Sequence, residues 1–451
     1  MTATQRTHLY GAGSSESYQR IALTSGDVPV AVYGLGKMGL PLAATFADVT
    51  GNVTGVDVSE SVVRSVNEGR SHVVNEPGLD DLVARTVADG SLRAVTDGVA
   101  AAEHATVHAV IVPTPITDDH RPDLSLLEAA TRDVAAGLSP GDTVFVECTV
   151  PPGTTREVVR PTLAAESGLS PDRFGVAFCP ERTKSGRALR DIRRAYPKVV
   201  GGVDEESTRV ADLFYGQVTE NDVIAVSDAT TAEAVKLFGG LYRDVNIALA
   251  NELARIRDDL GIDVREAIET ANTTPIYHLH DPGAGVGGHC IPYYPYFVMS
   301  AVDADTPLLR IARQVNDAMP RFAVEKLEAG LAEAGLDVSG ATVAVLGLTY
   351  RPGVEETRAT PARPIVDHLA AAGAEVLAVD PVLDDFGEFD AEPVAVDALP
   401  ERDLDAAVLV TGHEEFHDVD WSAFDPMVVV DGRDALALDG TDHRVYTIGR
   451  G

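Results

Sequence analysis

Short apolar runs alternate with stretches of helical spacing along most of this chain. The run "VPVAVY" at 28–33 stops at "GLGKMG"; "LPLAATFADVT" then has helical spacing, and "NVTGVDV" reads as a second strand. Strand, glycine turn, helix and strand form the opening of a doubly wound sheet. Further strands are predicted at "HAVIVPTP" (108–115), "DTVFVECT" (142–149) and "GVAFCPE" (175–181), with helical intervals between them, as a parallel α/β layer requires.

The pattern changes near residue 227. "DATTAEAVKLFGGLYRDVNIALANELARIRDDLG" carries apolar residues at helical spacing and no strand signal, which predicts one long helix, weakened locally by Gly239 and Gly240. A long helix joining two lobes is a natural dimerisation surface. The α/β pattern then restarts, with strands predicted at "ATVAVLGLTY" (341–350), "AEVLAVDP" (374–381), "AAVLVTG" (406–412) and "MVVVDGR" (427–433). The organisation is a polar leader over 1–27, an α/β domain over 28–222, a central helical region over 223–325 and a second α/β domain over 326–451. The two α/β domains are alike in pattern and not in sequence, so no repeat is assigned.

Composition narrows the classes of function. At 451 residues the chain is long enough for two or three cores. The net charge of −34 sets up a field that repels nucleic acid and acidic membrane surfaces. No uninterrupted apolar stretch reaches membrane-spanning length, and the leader lacks the apolar segment of a signal peptide, so the expected location is the cytoplasm. Five lysines stand against 31 arginines. An acid-rich, lysine-poor composition suits molar internal salt, where the Debye length shrinks to about 3 Å. Each surviving lysine therefore invites a reason. Cys148, Cys179 and Cys290 are far apart, without CxxC spacing, so neither zinc nor a disulfide framework is expected and no metal is assigned.

Gly34, Gly36 and Gly39 match G-x-G-x-x-G between a predicted strand and a helix. The turn needs Gly34, a pyrophosphate approaches the backbone at Gly36, and Gly39 lets the helix close on the strand. Asp57 ends the second strand, where a carboxylate accepts hydrogen bonds from a ribose 2′-OH, and "VSES" after it offers no arginine for a 2′-phosphate. The expected cofactor is NAD, on a Rossmann domain over 28–222. The second glycine turn, "GLTYRPG" at 347–353, does not fit this fingerprint and reads as an α/β turn.

"GAGVGGHCIPYYP" at 283–295 sets Cys290 behind a run of glycines, as a nucleophile needs where a substrate must come close, although a packed cysteine in a tight loop has the same local sequence. Together "VYGLGKMGLPLA", "NEPGLDDLV", "VPTPITDD", "ECTVPPGTTRE", "PERTKSGRALRDI", "KLFGGLYRDVNIALANELA", "ANTTPIYHLHDPGAGVGGHCIP" and "GLTYRPGVEETRATPARPIVDHL" resemble the nucleotide-sugar 6-dehydrogenases, in order from about 29 to 435. "GVGGHCIP" and "NTTPIYHLHDPG" are closer to the branch acting on 2-acetamido sugars, the UDP-N-acetylmannosamine dehydrogenases, than to the UDP-glucose branch.

The resemblance implies that a UDP-sugar C6 alcohol is oxidised to a carboxylate with two hydride transfers to NAD, through a thiohemiacetal and a thioester on Cys290. It implies Lys236 as the catalytic lysine at developing oxyanion character, Glu181 as the glutamate linked to thioester hydrolysis, and Thr149 as the residue orienting water or substrate. It places the cofactor at Gly34, Gly36, Lys37, Met38, Gly39, Asp57, Pro113, Thr114 and Thr149, and the substrate at Glu181, Arg182, Lys236, Gly287, Gly288 and Arg358. The sugar nucleotide is expected between lobes, with its UDP on the last domain, in a homodimer or larger assembly.

Two positions depart from the family pattern. Four residues after the lysine the family has asparagine and this chain has Gly240; four residues after the cysteine it has aspartate and this chain has Tyr294. Glycine donates no side-chain hydrogen bond, and tyrosine, with a reference pKa of about 10, is a poor base at neutral pH. Asn246, Asn251 or Tyr294 itself are candidates to cover the losses. UDP-N-acetylglucosamine and UDP-glucose are the alternative sugars, and a non-catalytic relative that binds nucleotide and nucleotide sugar is the alternative class; a two-electron alcohol dehydrogenase is a further one, against which Cys290 argues.

Overall fold

The computed structural model describes residues 7–451, so the first six residues of the polar leader lie outside the described residues. The chain forms two compact units, one of residues 1–238 with 296–303 and one of 239–295 with 304–451.

The first unit is built on eight strands: β1 (Val30–Tyr33), β2 (Val53–Val56), β3 (Leu92–Val95), β4 (Val107–Val110), β5 (Thr143–Val146), β6 (Gly175–Phe178), β7 (Lys198–Gly202) and β8 (Val223–Ala225). They lie in the order β3-β2-β1-β4-β5-β6-β7-β8. Every pairing is parallel except that of β6 with β7. Strands β1, β2, β4, β5 and β6 are buried throughout, as a sheet covered by helices on both faces demands. The order reverses between β1 and β4, and the crevice beyond the carboxyl ends of these strands is where such sheets bind ligands.

The second unit carries β9 (Thr342–Leu346), β10 (Glu375–Val379), β11 (Glu392–Pro393), β12 (Ala406–Leu409), β13 (Val428–Asp431) and β14 (Arg444–Thr447). Their order, β11-β10-β9-β12-β13-β14, is wholly parallel and repeats that of the first six strands of the first unit. The expected α/β class with two Rossmann-like sheets is therefore present.

Five strands escape the sequence reading. β3, β8, β11 and β14 are partly exposed and so lack a continuous apolar run, and β7 ends in two glycines. The leader contributes a helix, Glu16–Thr24, and buries Leu9, Ala22 and Leu23 in the first unit's core. Arg209 fastens it through the Leu9 carbonyl at 2.9 Å and Gln19 Oε1 at 3.0 Å. With so few apolar positions, such a segment reads as polar.

The long helix runs Ala229–Arg255, and neither Gly239 nor Gly240 interrupts it. It ends at Arg255, six residues before the end of the quoted stretch; Ile256 breaks it, and the turn Arg257–Leu260 follows, closed by Gly261 in the left-handed conformation.

Candidate active site

The glycine turn follows β1 in the first unit. Gly34 has φ +94°, and a Cβ there would fall 2.3 Å from the Ile111 carbonyl oxygen; one at Gly39 would fall 1.9 Å from the Gly34 oxygen. The chain itself demands glycine at both. Gly36 differs, because a Cβ there meets nothing within 4 Å. No neighbour in the protein crowds position 36, so its backbone is open to a ligand. Asp57 Oδ2 accepts the Leu35 amide and its Oδ1 the Ser59 amide, both at 2.9 Å. The carboxylate is thus fixed beside the turn and half-buried, so a ribose can reach it. These residues fit a bound NAD.

Pro113 and Thr114 follow β4 across the switch point. Thr114 donates to the Thr149 carbonyl at 2.6 Å, joining the segments after β4 and β5. Cys148, just before Thr149, accepts the Val112 amide at 3.3 Å and donates to the Val110 carbonyl at 3.4 Å. Burial pushes its thiol up to about 12, and burial pushes Cys179 up as well. Both are packing residues.

Glu181 and Lys236 meet in this unit. Glu181 Oε2 lies 3.7 Å from Lys236 Nζ, with side chains 14% and 7% exposed, so the pair is largely shielded from water. Glu233, one turn before the lysine on the same helix, is fully buried and accepts the amides of Gly153 at 2.5 Å and Thr155 at 2.8 Å. It ties the helix to the loop that follows Thr149. Beside Glu181, the Thr183 hydroxyl lies 2.9 Å from Met38 Sδ, joining this loop to the glycine turn. Arg182 is exposed, and one of its nitrogens donates to the Pro197 carbonyl. Lys37 is exposed at the turn.

The second unit holds Cys290, the one exposed thiol of the three. The glycines before it have a reason other than the substrate access expected from the sequence. A Cβ on Gly287 would lie 2.8 Å from Tyr350 Cβ, and one on Gly288, at φ +97°, would lie 2.9 Å from the Tyr350 ring. The Gly288 amide donates to the Arg358 carbonyl at 2.9 Å. His289 pairs with Glu356. The segment therefore closes on residues 350–358 of its own unit. Burial pushes the Tyr350 phenol up, against the pull of Arg351, with Glu356 and Cys290 adding to the rise. The Arg358 side chain is exposed at the same turn.

Neither asparagine suggested as a substitute donor is available. Asn251 is fully buried between Asn316 Oδ1 and the Gly283 amide, each at 2.9 Å, and Asn246 holds the His278 carbonyl and the His280 amide, each at 3.0 Å. Both position the 278–283 loop.

The turn after β9 repeats the nucleotide turn in outline. A Cβ on Gly347 would lie 2.1 Å from the Thr411 oxygen, and Asp380 at the end of β10 accepts the Leu348 amide at 2.7 Å. Here, however, the carboxylate is buried and also accepts the Thr349 amide and hydroxyl and the Val382 amide, with His413 Nε2 at 3.3 Å. It has no face left for a ribose.

Glu147, Lys198 and Glu233 were not singled out from sequence. Lys198 carried a signal: it is one of only five lysines. Among the described residues no group of three or more His, Cys, Asp or Glu could hold a metal, and no helix is long and apolar enough to cross a membrane.

The sequence matches the UDP-glucose/GDP-mannose dehydrogenase family in three successive parts: its NAD binding domain over 28–219, its central domain over 230–318 and its UDP binding domain over 344–438. It is 38% identical to the UDP-N-acetyl-D-mannosamine dehydrogenase of Pyrococcus horikoshii, over 94% of this chain and 99% of that protein. An NDP-N-acetyl-D-galactosaminuronic acid dehydrogenase of Ralstonia nicotianae is 36% identical over 90% of this chain and 95% of its own. The solved Pyrococcus horikoshii enzyme superposes with a TM-score of 0.86 at 37% identity, covering 94% of this chain and all of that one. The chain therefore belongs to the UDP-glucose/GDP-mannose dehydrogenase family and is an NAD-dependent nucleotide-sugar dehydrogenase.

Proposed function

We propose that the protein oxidises the C6 alcohol of UDP-N-acetyl-D-mannosamine to the carboxylate of UDP-N-acetyl-D-mannosaminuronate, in two steps on Cys290. The observation that carries the thiol mechanism is that Cys290 alone of the three cysteines is exposed, while Cys148 and Cys179 are buried with raised thiol pKa values. The names of the relatives support the sugar.

NAD, when bound, accepts a hydride from C6 in each of two oxidations. The thiolate of Cys290 adds to the C6 aldehyde, and the resulting thiohemiacetal is oxidised to a thioester. Water then adds to the acyl carbon, the C–S bond breaks, and the carboxylate leaves. The balance is one alcohol, two NAD and one water to one carboxylate, two NADH and three protons. Lys236 stabilises negative charge on the C6 oxygen, where a compact ammonium suits a small oxyanion. Glu181 takes a proton from the attacking water, and Thr149 orients that water or the sugar. Gly287, Gly288, Arg182 and Arg358 bind the substrate, and Lys37, Met38, Pro113 and Thr114 line the cofactor.

The setting is cytoplasmic and salt-rich, in keeping with the charge of −34. The working form is a homodimer or larger. Tyr242, Leu249 and Ile256, 52%, 47% and 40% exposed, recur every seventh residue and offer an apolar stripe to a second copy.

The test is NADH formation in molar KCl with UDP-N-acetylmannosamine, UDP-N-acetylgalactosamine, UDP-N-acetylglucosamine and UDP-glucose in parallel. Two NADH per sugar are expected with the first, and none from Cys290→Ala. Preference for the galactosamine would reassign the sugar. Nucleotide binding without turnover on any of the four would make the protein a non-catalytic relative.

A further inference from the structure

We propose that Lys198 is a positioning residue for thioester hydrolysis, fixing the backbone from which Glu181 projects; the inference rests on the role given to Glu181 above. Lys198 Nζ lies 2.7 Å from Glu147 Oε2 and donates to the carbonyls of Cys179 at 2.9 Å and Pro180 at 3.3 Å. Those are the two residues immediately before Glu181. The ammonium also stands 4.3 Å from the centre of the Tyr215 ring, and the Tyr215 hydroxyl donates to the other oxygen of Glu147. Glu147 is fully buried and Lys198 only 14% exposed, so the charges are held by one another and by this fixed set of partners.

The topology explains how the lysine gets there. In a parallel strand the first residue sits at the amino edge of the sheet, away from the site. The β6–β7 pairing is antiparallel, and so the first residue of β7, Lys198, arrives at the carboxyl edge of β5 and β6. Glu147 is two residues before Thr149, so one ammonium, by its ion pair and its two carbonyl contacts, joins the segments that carry Thr149 and Glu181. On the far side of Glu181, Arg182 donates to the carbonyl of Pro197. Lys198 thus holds the backbone before the glutamate, and the Arg182 side chain after it reaches the neighbouring Pro197 carbonyl. The same group borders a cavity of about 30 Å³ shared by Glu147, Glu181, Thr183 and Lys198, roomy enough for ordered water.

Reach and donor geometry account for lysine here in a chain that otherwise uses arginine. Three donors on one small head meet a carboxylate and two carbonyls from a single point, which a planar guanidinium does not do.

The experiment compares wild type, Lys198→Met and Lys198→Arg in molar KCl with whichever UDP-sugar the wild type turns over, following NADH by rapid mixing and the Cys290 adduct by intact mass. Lys198→Met is expected to release two NADH per site in a burst and then turn over about 100-fold more slowly, since a displacement of about 1 Å at a reacting group costs that much. The acyl adduct should accumulate on Cys290 with KM for NAD unchanged, and Lys198→Arg should show the same burst with a smaller loss. A lowered Tm with wild-type kcat would reduce Lys198 to a packing role and overturn the proposal. So would slowing of the first hydride transfer without adduct. If Lys198→Met does not fold, Lys198→Arg decides alone, and absence of a burst in it sinks the idea. A wild type with no turnover on any UDP-sugar would instead remove the reading of Glu181, and this inference with it.

Discussion

Gly240 and Tyr294, the two residues that depart from the family pattern, pack against each other: a Cβ on Gly240 would lie 2.3 Å from Tyr294 Cδ2 and 3.0 Å from its Cγ. Tyr294 is 9% exposed, so its ring fills the space where a side chain on the helix would stand. Two changes that look independent in the sequence are one steric event. Gly240→Asn should destabilise by about 1–3 kcal/mol through overpacking, and Tyr294→Asp by about 3 kcal/mol through the cavity it leaves. The double variant should recover part of the loss, with a coupling of about 1–3 kcal/mol in a urea-denaturation cycle. Strict additivity would mean that the ring moves aside freely. Gly239 is the control, since a Cβ there meets nothing within 4 Å. Gly239→Ala should stabilise by about 1 kcal/mol, whereas Gly240→Ala should not.

The nucleotide turn separates binding from folding by position. Gly36→Val should leave the Tm near wild type, because its side chain enters open space, and raise KM for NAD at least tenfold. Gly39→Ala should lower the Tm sharply, because its Cβ would fall 1.9 Å from the Gly34 oxygen. Equal thermal loss in both would show that Gly36 serves the turn and not the pyrophosphate.

Thiol chemistry should single out one cysteine. Under native conditions iodoacetamide should label one site per chain, at Cys290, and none in Cys290→Ala. Cys148 and Cys179 should react only after unfolding, since burial keeps both protonated. Labelling of either in the folded protein, read by peptide mass, would contradict the packing described for them.

How much of this was legible in the sequence depends on where each signal lies. The strands β1, β4, β5, β9, β12 and β13 are mostly apolar because both faces are buried, and the sequence reading finds each of them. Edge strands such as β3 and β14 keep exposed positions and are lost in the polar background. The fingerprint at Gly34, Gly36, Gly39 and Asp57 is local, and it is found. Glu181 and Lys236 were each singled out by resemblance, but their pairing across 55 positions was not legible, because contacts at that separation leave no periodic trace. The glycines before Cys290 show the opposite failure. Their presence was legible, but the close approach of Tyr350 to Gly287 and Gly288 was not. The clasp of Lys198 on Glu147 and the Cys179–Pro180 backbone needed the antiparallel sense of β7, which no residue pattern announces.

Acid should weaken the second unit at Asp380. Burial alone would raise the Asp380 carboxyl, but hydrogen bonds from His413 and from the amides of Thr349 and Val382, with His413's charge adding to them, hold it below the usual range. A carboxylate depressed in the folded state contributes stability above its unfolded pKa of about 3.9, and that contribution is lost as pH falls through the lower folded value. Asp380→Asn leaves donors facing a group with one acceptor and should cost about 2–3 kcal/mol at pH 7. Below about pH 4 the wild type loses the same interaction, so the gap between the two proteins should narrow. Urea denaturation from pH 7 to pH 3 at fixed salt reads this directly. A gap that stays constant with pH would mean that Asp380 acts by shape and hydrogen-bond count alone, with its charge contributing nothing.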